Sequence, residues 1–442
     1  MKKMYRLLLI TAFLQLTPLT TLASEYYVLC EGNFGFANAS FWSLDDTFSD
    51  IDGPLIWNAT DNPLGDVGQA ITRYNHSLYI VMNNSHEIRI LDLESGITHI
   101  GDIEVPGASP RYMAVQHSQE RGFVSCWNLG GLLVIDLNSN TVVDTFLLGG
   151  LPEELLIEED RLFVSMVMNP DWTSADQVHE IDISAAELTI SETYQVIDGP
   201  GSMAYYDNQL YVTSVYYDLD WNIFTGTSKI NLSDGSIQTE NHGSYNSDRI
   251  DIAIINGTPH RTFNNSIIPL NSDLSLNMLG SFAAKENFFS FSIQNNMIFV
   301  GSSDYVAPDE LEIFNFDGIS QGTFYTGGLP DDILYYDSEQ VSLDENNLQP
   351  HSISIAQNYP NPFNPQTTIP FQLTHANHVS LQIVDITGRV VQTLIQEYLD
   401  KGFHTVNWNG KNGMGNLIPS GIYFAILKAD DQNNTLKLSL MK

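Results

Sequence analysis

Cysteine is nearly absent from this 442-residue chain. With only Cys30 and Cys126 there is no disulfide framework, so stability has to come from buried apolar surface. Basic residues are also scarce. Eighteen Lys and Arg against 53 Asp and Glu leave a formal charge of −35, a field that repels nucleic acid and anionic lipid and excludes both as partners. The same charge suits a protein kept soluble in salt water or one that collects cations. Enzyme signatures are missing: there is no G-x-S-x-G elbow, H-E-x-x-H helix, Walker loop, G-x-G-x-x-G or C-x-x-C. The 11 histidines are scattered singly and read as surface or turn residues. What is present is a core, 43 % hydrophobic residues with 11 % aromatic, on a chain long enough for two or three domains or one repeat array.

The N-terminus places Lys2, Lys3 and Arg6 ahead of an apolar run from Leu7 to Leu16, then small and polar residues up to Ala23. That order is a secretory signal peptide over residues 1–23. Its apolar run falls well short of the ~20 residues of a membrane-spanning helix, and no later segment approaches that length. The expectation is a mature chain without a membrane span.

From residue 26 a short pattern returns: "LYIVMN" at Leu78, "GFVSCW" at Gly122, "LFVSMV" at Leu162, "LYVTSV" at Leu210 and "IFVGSS" at Ile298. A second pattern follows each, as in "IRILDLESG", "LLVIDLNSN" and "LEIFNFDG", a strand running into a tight turn. The period is roughly 44 residues, the size of one four-stranded propeller blade. The copy near Pro259 is the weakest, because proline interrupts the expected strand. "GGLPDDILYYDS" at 327–338 echoes "GGLPEELLIEED" at 149–160. With no repeat following it, Ile333 to Tyr336 should complete the blade begun at Tyr26. The fold class is therefore all-β, a seven-bladed β-propeller over residues 26–337. Cys30 and Cys126 then fall in non-adjacent blades, as two buried free thiols. The array resembles the YVTN-type propellers of exported and surface-layer proteins, related to the NHL and WD40 propellers. That resemblance implies a fold more than an activity.

Residues 338–352 read as a linker, and residues 353–442 as a small immunoglobulin-like sandwich of six or seven strands. "NYPNPFNP", "DITGRVV", "WNGKNGMG" and "SGIYF" occur in an order that resembles the C-terminal type A sorting domain of the type IX secretion system. The residues carrying that resemblance are Tyr359, Pro360, Asn361, Pro362, Phe363, Asn364, Pro365, Gly388, Arg389, Gly421 and Tyr423. It implies type IX machinery and a surface sortase as partners, with delivery through the periplasm and outer membrane to the cell surface or medium. The prolines should give the segment an extended lead-in to its first strand. The sandwich also resembles the immunoglobulin-like part of flagellar hook-capping proteins; its position behind a propeller and a signal peptide favours sorting.

In a propeller, the loops between second and third strands share a face with the loops joining blades. Those of the fourth and fifth blades read as long, "MNPDWTSADQ" and "YYDLDWNIFTG", and each holds Asp beside Trp. Asp171, Trp172, Asp218, Asp220 and Trp221 form the candidate binding patch, for a carbohydrate or a protein ligand. The alternative is that both indoles cap the core beneath their loops. "DLDWN" begins like a calcium loop, but Ile223 stands where an EF-hand needs Gly and Lys229 where it needs Glu, leaving only a simpler calcium site open. The sequence requires no cofactor. It reads as an exported binding or scaffolding module, the alternative being a lyase or glycoside hydrolase using loop carboxylates. A perturbed carboxylate pair in the central funnel would favour the enzyme.

Overall fold

The computed structural model describes residues 24–55, 64–94, 96–218, 220–245, 249–338, 353–355, 358, 360–373, 376–385, 388–429 and 432–441. Residues 1–23, expected to be a signal peptide, all of the expected linker but Ser338, and Tyr359 lie outside the described residues.

Seven antiparallel sheets follow one another between Glu25 and Tyr336. The second shows the plan: Gly68–Tyr74 innermost, then Ser77–Met82, Glu87–Asp92 and Thr98–Glu104. Its second strand explains why the repeat is apolar throughout. Leu78, Ile80 and Met82 pack against Tyr27, Leu29 and Phe41 of the first blade, whereas Tyr79 and Val81 pack against Val124 and Cys126 of the third. Successive side chains of a strand point to opposite faces, and here a neighbouring blade covers each face. Cys30 and Cys126 are free and buried in separate cores.

The ring closes within the first blade, whose strand order is Pro330–Tyr336, Glu25–Cys30, Ser40–Asp45 and Ile51–Asp52. Tyr27 pairs with Leu334 and Val28 with Ile333, so the two ends of the array meet and neither leaves an open edge. The sixth blade departs from expectation. Pro259 does not interrupt its second strand, Thr258–Phe263, where it pairs with Ile254. What differs is the outer edge: Ser266–Pro269 is the last strand of that sheet among the described residues, and isolated bridges Ile267↔Phe282 and Leu270↔Leu276 follow it.

The C-terminal unit is a sandwich. Ile353–Ile355, Thr367–Leu373 and Gly402–Trp408 form one sheet, and Val390–Leu399, Asn377–Asp385, Gly421–Ala429 and Gln432–Leu440 the other. Alternating residues Ile369, Phe371, Leu381, Ile383, Ala425 and Leu427 fill the space between them around a fully buried Trp408. The proline segment is not the extended lead-in its residues predict. It is a run of bends with cis bonds at Asn361–Pro362 and Asn364–Pro365. Its prolines stay exposed while Phe363 enters the core 5.3 Å from Trp408. Phe363 N–H donates to Ser439 O at 2.9 Å, and Ser439 N–H to Asn361 Oδ1 at 2.9 Å, which binds the segment to the last strand.

Candidate functional site

Four innermost strands open on the same short phrase: Pro110-Arg111-Tyr112, Pro152-Glu153-Glu154, Pro200-Gly201-Ser202 and Pro330-Asp331-Asp332. Just after the proline the register with the second strand slips, so that Arg111 and Tyr112, Glu153 and Glu154, and Asp331 have no ladder partner. Gln69 and Phe289 are skipped in the same way in the second and seventh blades. A buried hydroxyl takes up the freed backbone: Tyr112 N–H donates to Ser125 Oγ at 3.0 Å, Glu154 N–H to Ser165 Oγ at 3.1 Å and Asp251 N–H to Thr262 Oγ1 at 3.1 Å. Bulges of this kind re-aim side chains. Here consecutive residues of one strand take different tasks.

In several blades the second residue of the pair reaches sideways. Glu154 Oε2 accepts from Met203 N–H at 3.2 Å and Asp332 Oδ2 from Ile71 N–H at 2.9 Å, each in the next blade; Asp251 Oδ2 likewise accepts from Phe291 N–H at 2.9 Å. These inter-blade latches keep their protons to higher pH than free carboxyls do. Burial, with the Asp251 and Glu153 charges nearby, pushes Glu154 up to about 8 against the bonds from Ser202 and Met203. Burial and Asp331 push Asp332 up to about 7, and burial takes Asp251 to about 6 in spite of Arg249.

The first residue of each pair lines the funnel. Arg111 grips Glu153 through Nε at 3.1 and 3.2 Å and bonds to Gln69, its guanidinium lies 4.3 Å above the Trp127 ring, and Trp127 Nε1 donates to Glu153 Oε2 at 2.8 Å. Burial lowers the Arg111 pKa, but the charge and hydrogen bonds of Glu153 outweigh it and the net shift is upward. Arg249 binds Glu31 at 2.8 Å and also pairs with Asp331. Burial raises the Glu31 pKa, and the Asp331 charge adds to it against Arg249.

The fifth blade breaks this wall. Gly201 stands where the third, fourth and first blades carry Arg111, Glu153 and Asp331, and a Cβ built on it meets nothing within 4 Å. A cavity of about 310 Å³ opens there, lined among others by Arg111, Trp127, Glu153, Glu154, Arg249 and Asp251. Sequence reasoning passed over all of these residues. The signals available were the repeated Pro-x-x phrase and the Ser or Thr two places after the repeat aromatic, as in Phe123-x-Ser125 and Phe163-x-Ser165.

The candidate residues Asp171, Trp172, Asp218, Asp220 and Trp221 lie at hairpin tips of the fourth and fifth blades. The loops are shorter than they read, because strands Arg161–Met168, Ser174–Asp182, Gln209–Tyr217 and Ile223–Asn231 run on and leave five residues at each tip. The two tips share a pair of backbone hydrogen bonds: Asn169 N–H donates to Thr173 O and Trp172 N–H to Asn169 O, as Asp218 N–H does to Asn222 O and Trp221 N–H to Asp218 O. The indoles do not cap the core, being 64 % and 80 % exposed. Trp172 meets Trp127 edge-on at 6.4 Å and Trp221 leans on Tyr217 at 6.0 Å. Both tryptophans have positive φ, 67° and 63°, the place held by Gly318, Gly388 and Gly415, and by Leu274 at 69°, in hairpins of the same hydrogen-bond pattern. A left-handed residue with a side chain costs roughly 1–2 kcal/mol. Asp171 accepts from the Thr173 hydroxyl and N–H, and Asp218 from Asn222 and from Asp220 N–H, which keeps both pKa values low. Among the described residues no group of three or more His, Cys, Asp or Glu is placed to hold a metal ion.

In the sandwich, Gly388 makes the turn (φ 81°) across which the Arg389 side chain and N–H bond Asp385. Gly421 opens the strand whose Tyr423 packs on Trp408 and donates to Pro419 O.

The fold and funnel define an all-β protein, a seven-bladed propeller with a C-terminal immunoglobulin-like domain. The FlgD Ig-like domain family matches residues 361–433. A protein from Lactobacillus plantarum is similar at 13 % identity and TM-score 0.53, covering 71 % of this chain and 100 % of its own. A putative 6-phosphogluconolactonase from Bacteroides fragilis is similar at 13 % identity and TM-score 0.52, and the periplasmic gluconolactonase of Pseudomonas aeruginosa at 12 % and 0.52, each covering 72 % of this chain and all of its own. These likenesses are likenesses of fold. No curated protein matches the chain.

Proposed function

We propose that this protein is an exported carbohydrate-binding propeller whose ligand occupies the funnel cavity over Gly201. The observation that carries this reading is the gap itself: a side chain is missing at Gly201 from a wall that brings Arg111, Arg249, Glu153, Glu154, Asp251 and Trp127 together with apolar residues such as Val167, Met168 and Ile250. Planar donors and acceptors that already orient one another are preorganised for sugar hydroxyls. Trp172 and Trp221, held at positions that favour glycine, supply exposed rings on the same face. Gly201→Leu tests the reading, because a Cβ at this lining position has room and the added side chain narrows the cavity. Binding to an array of neutral and acidic mono- to hexasaccharides should be lost while the melting temperature is kept. Undiminished binding refutes the assignment.

A second reading is hydrolysis of a sugar derivative, favoured by Glu154, which keeps its proton near neutral pH, lining the same cavity as Glu153, whose carboxylate is paired with Arg111. Glu154→Gln would then abolish turnover and leave binding intact.

Delivery is assigned to the C-terminal sandwich acting as a type IX sorting domain, on the order of its motifs behind a signal peptide. Intact mass spectrometry of protein recovered from the medium and outer surface of the native cells should find a product that begins near Ser24 and ends before Ser354. A full-length chain retained inside the cell refutes it.

A further inference from the structure

Trp127 is shared by two cavities. On one side it walls the funnel site; on the other it walls a groove of about 400 Å³ between the third and fourth blades, whose further lining includes Gly130, Leu147, Gly149, Pro170 and Trp172. No charged side chain lines this groove, although the chain as a whole carries −35. Its glycines leave backbone exposed, and a Cβ on Gly149 would meet nothing within 4 Å. Trp127 and Trp172 stand at 83° to each other, a corner with one indole face open, and Leu147 is exposed beside them.

Resting on the carbohydrate reading, we infer that this groove is a second subsite and that the ligand is a linear oligosaccharide of three or more units. One end sits in the funnel among Arg111 and Glu153, and the chain passes Trp127 so that a following ring stacks on Trp172. The occupant is argued from continuity and chemistry. The two cavities meet at one side chain, the polar one suits hydroxyls, and the apolar one suits the C–H face of a pyranose, which aromatic rings bind without charge. A second protein would not need the polar end, and an anionic polymer would meet the field of the whole chain.

The test is chain-length dependence with the full mature protein on the same array, followed by titration calorimetry with the tightest series. Affinity should rise roughly two- to tenfold from mono- to trisaccharide, the scale of one stacked ring. Trp172→Ala should lose that rise, as should Leu147→Glu, which places charge in the groove from an exposed position. Equal affinity for all lengths, or a rise that survives Trp172→Ala, overturns the second subsite while the funnel assignment stands on Gly201→Leu. Absence of any glycan binding overturns both.

Discussion

Glu154→Gln tests whether the latch carboxyls hold protons at neutral pH. In the unfolded chain this group titrates near 4.5, in the fold near 8. Between those values the folded state keeps a proton that the unfolded state has shed. The stability this contributes is therefore complete below about pH 4.5 and is lost as pH rises to about 8. At ~1.4 kcal/mol per pH unit the full loss is on the order of 5 kcal/mol, an upper bound for a group that water partly reaches. From pH 5.5 to 7.5 it amounts to roughly 2–3 kcal/mol, and a propeller of about 310 residues has an unfolding entropy near 0.65 kcal/mol/K, so the melting temperature should fall by about 4 °C on account of Glu154 alone. The amide keeps an acceptor for Met203 N–H and cannot ionise. Calorimetric scans at pH 5.5, 6.5 and 7.5 should show wild type losing about 4 °C more than Glu154→Gln over this interval, the residual slope of the variant being the balance of Asp332, Asp251 and Glu31 against the buried His179, His242 and His260, whose lowered pKa values favour the fold as pH rises through 6.5. Parallel curves for the two proteins would refute the proton assignment.

Replacing Trp172 and Trp221 together by glycine should leave stability within about 1 kcal/mol, because relief of the left-handed backbone offsets the loss of partial packing and the added chain entropy; urea midpoints check this, and a loss of 3 kcal/mol or more would mean that the rings are structural. Ile333→Ala removes a side chain that is 1 % exposed in the closing strand and should cost about 2–5 kcal/mol, read from the same midpoints.

The blades were legible because "LYIVM" and its relatives are apolar on both faces, which a half-exposed strand never is, and their spacing counts them. Ring closure was legible in the second "GGLP". The funnel was not, since Arg111, Glu153 and Asp331 matter through a slip in pairing register, and register belongs to two strands at once. Polar residues at strand ends misled in the same way: Ser174, Asp176 and Gln177 read as loop, yet they extend a strand beyond the core. The tip residues were found by composition, Asp beside Trp, but their exposure depended on the turn, where tryptophan takes a left-handed position that Gly318, Gly388 and Gly415 fill in other hairpins.

The closing strand also sets an order of events. Residues 25–30 wait for residues 330–336, and bringing together ends some 300 residues apart costs roughly 5 kcal/mol of chain entropy beyond a constant. Until that happens the first blade lacks its innermost strand and Glu25–Cys30 presents an unsatisfied edge, so the ring should assemble late and cooperatively rather than blade by blade from the N-terminus. The clasp ends at Tyr336, upstream of the C-terminal sandwich. A protease cutting after it takes no strand from the ring, so the propeller would keep its closure without the sandwich that follows.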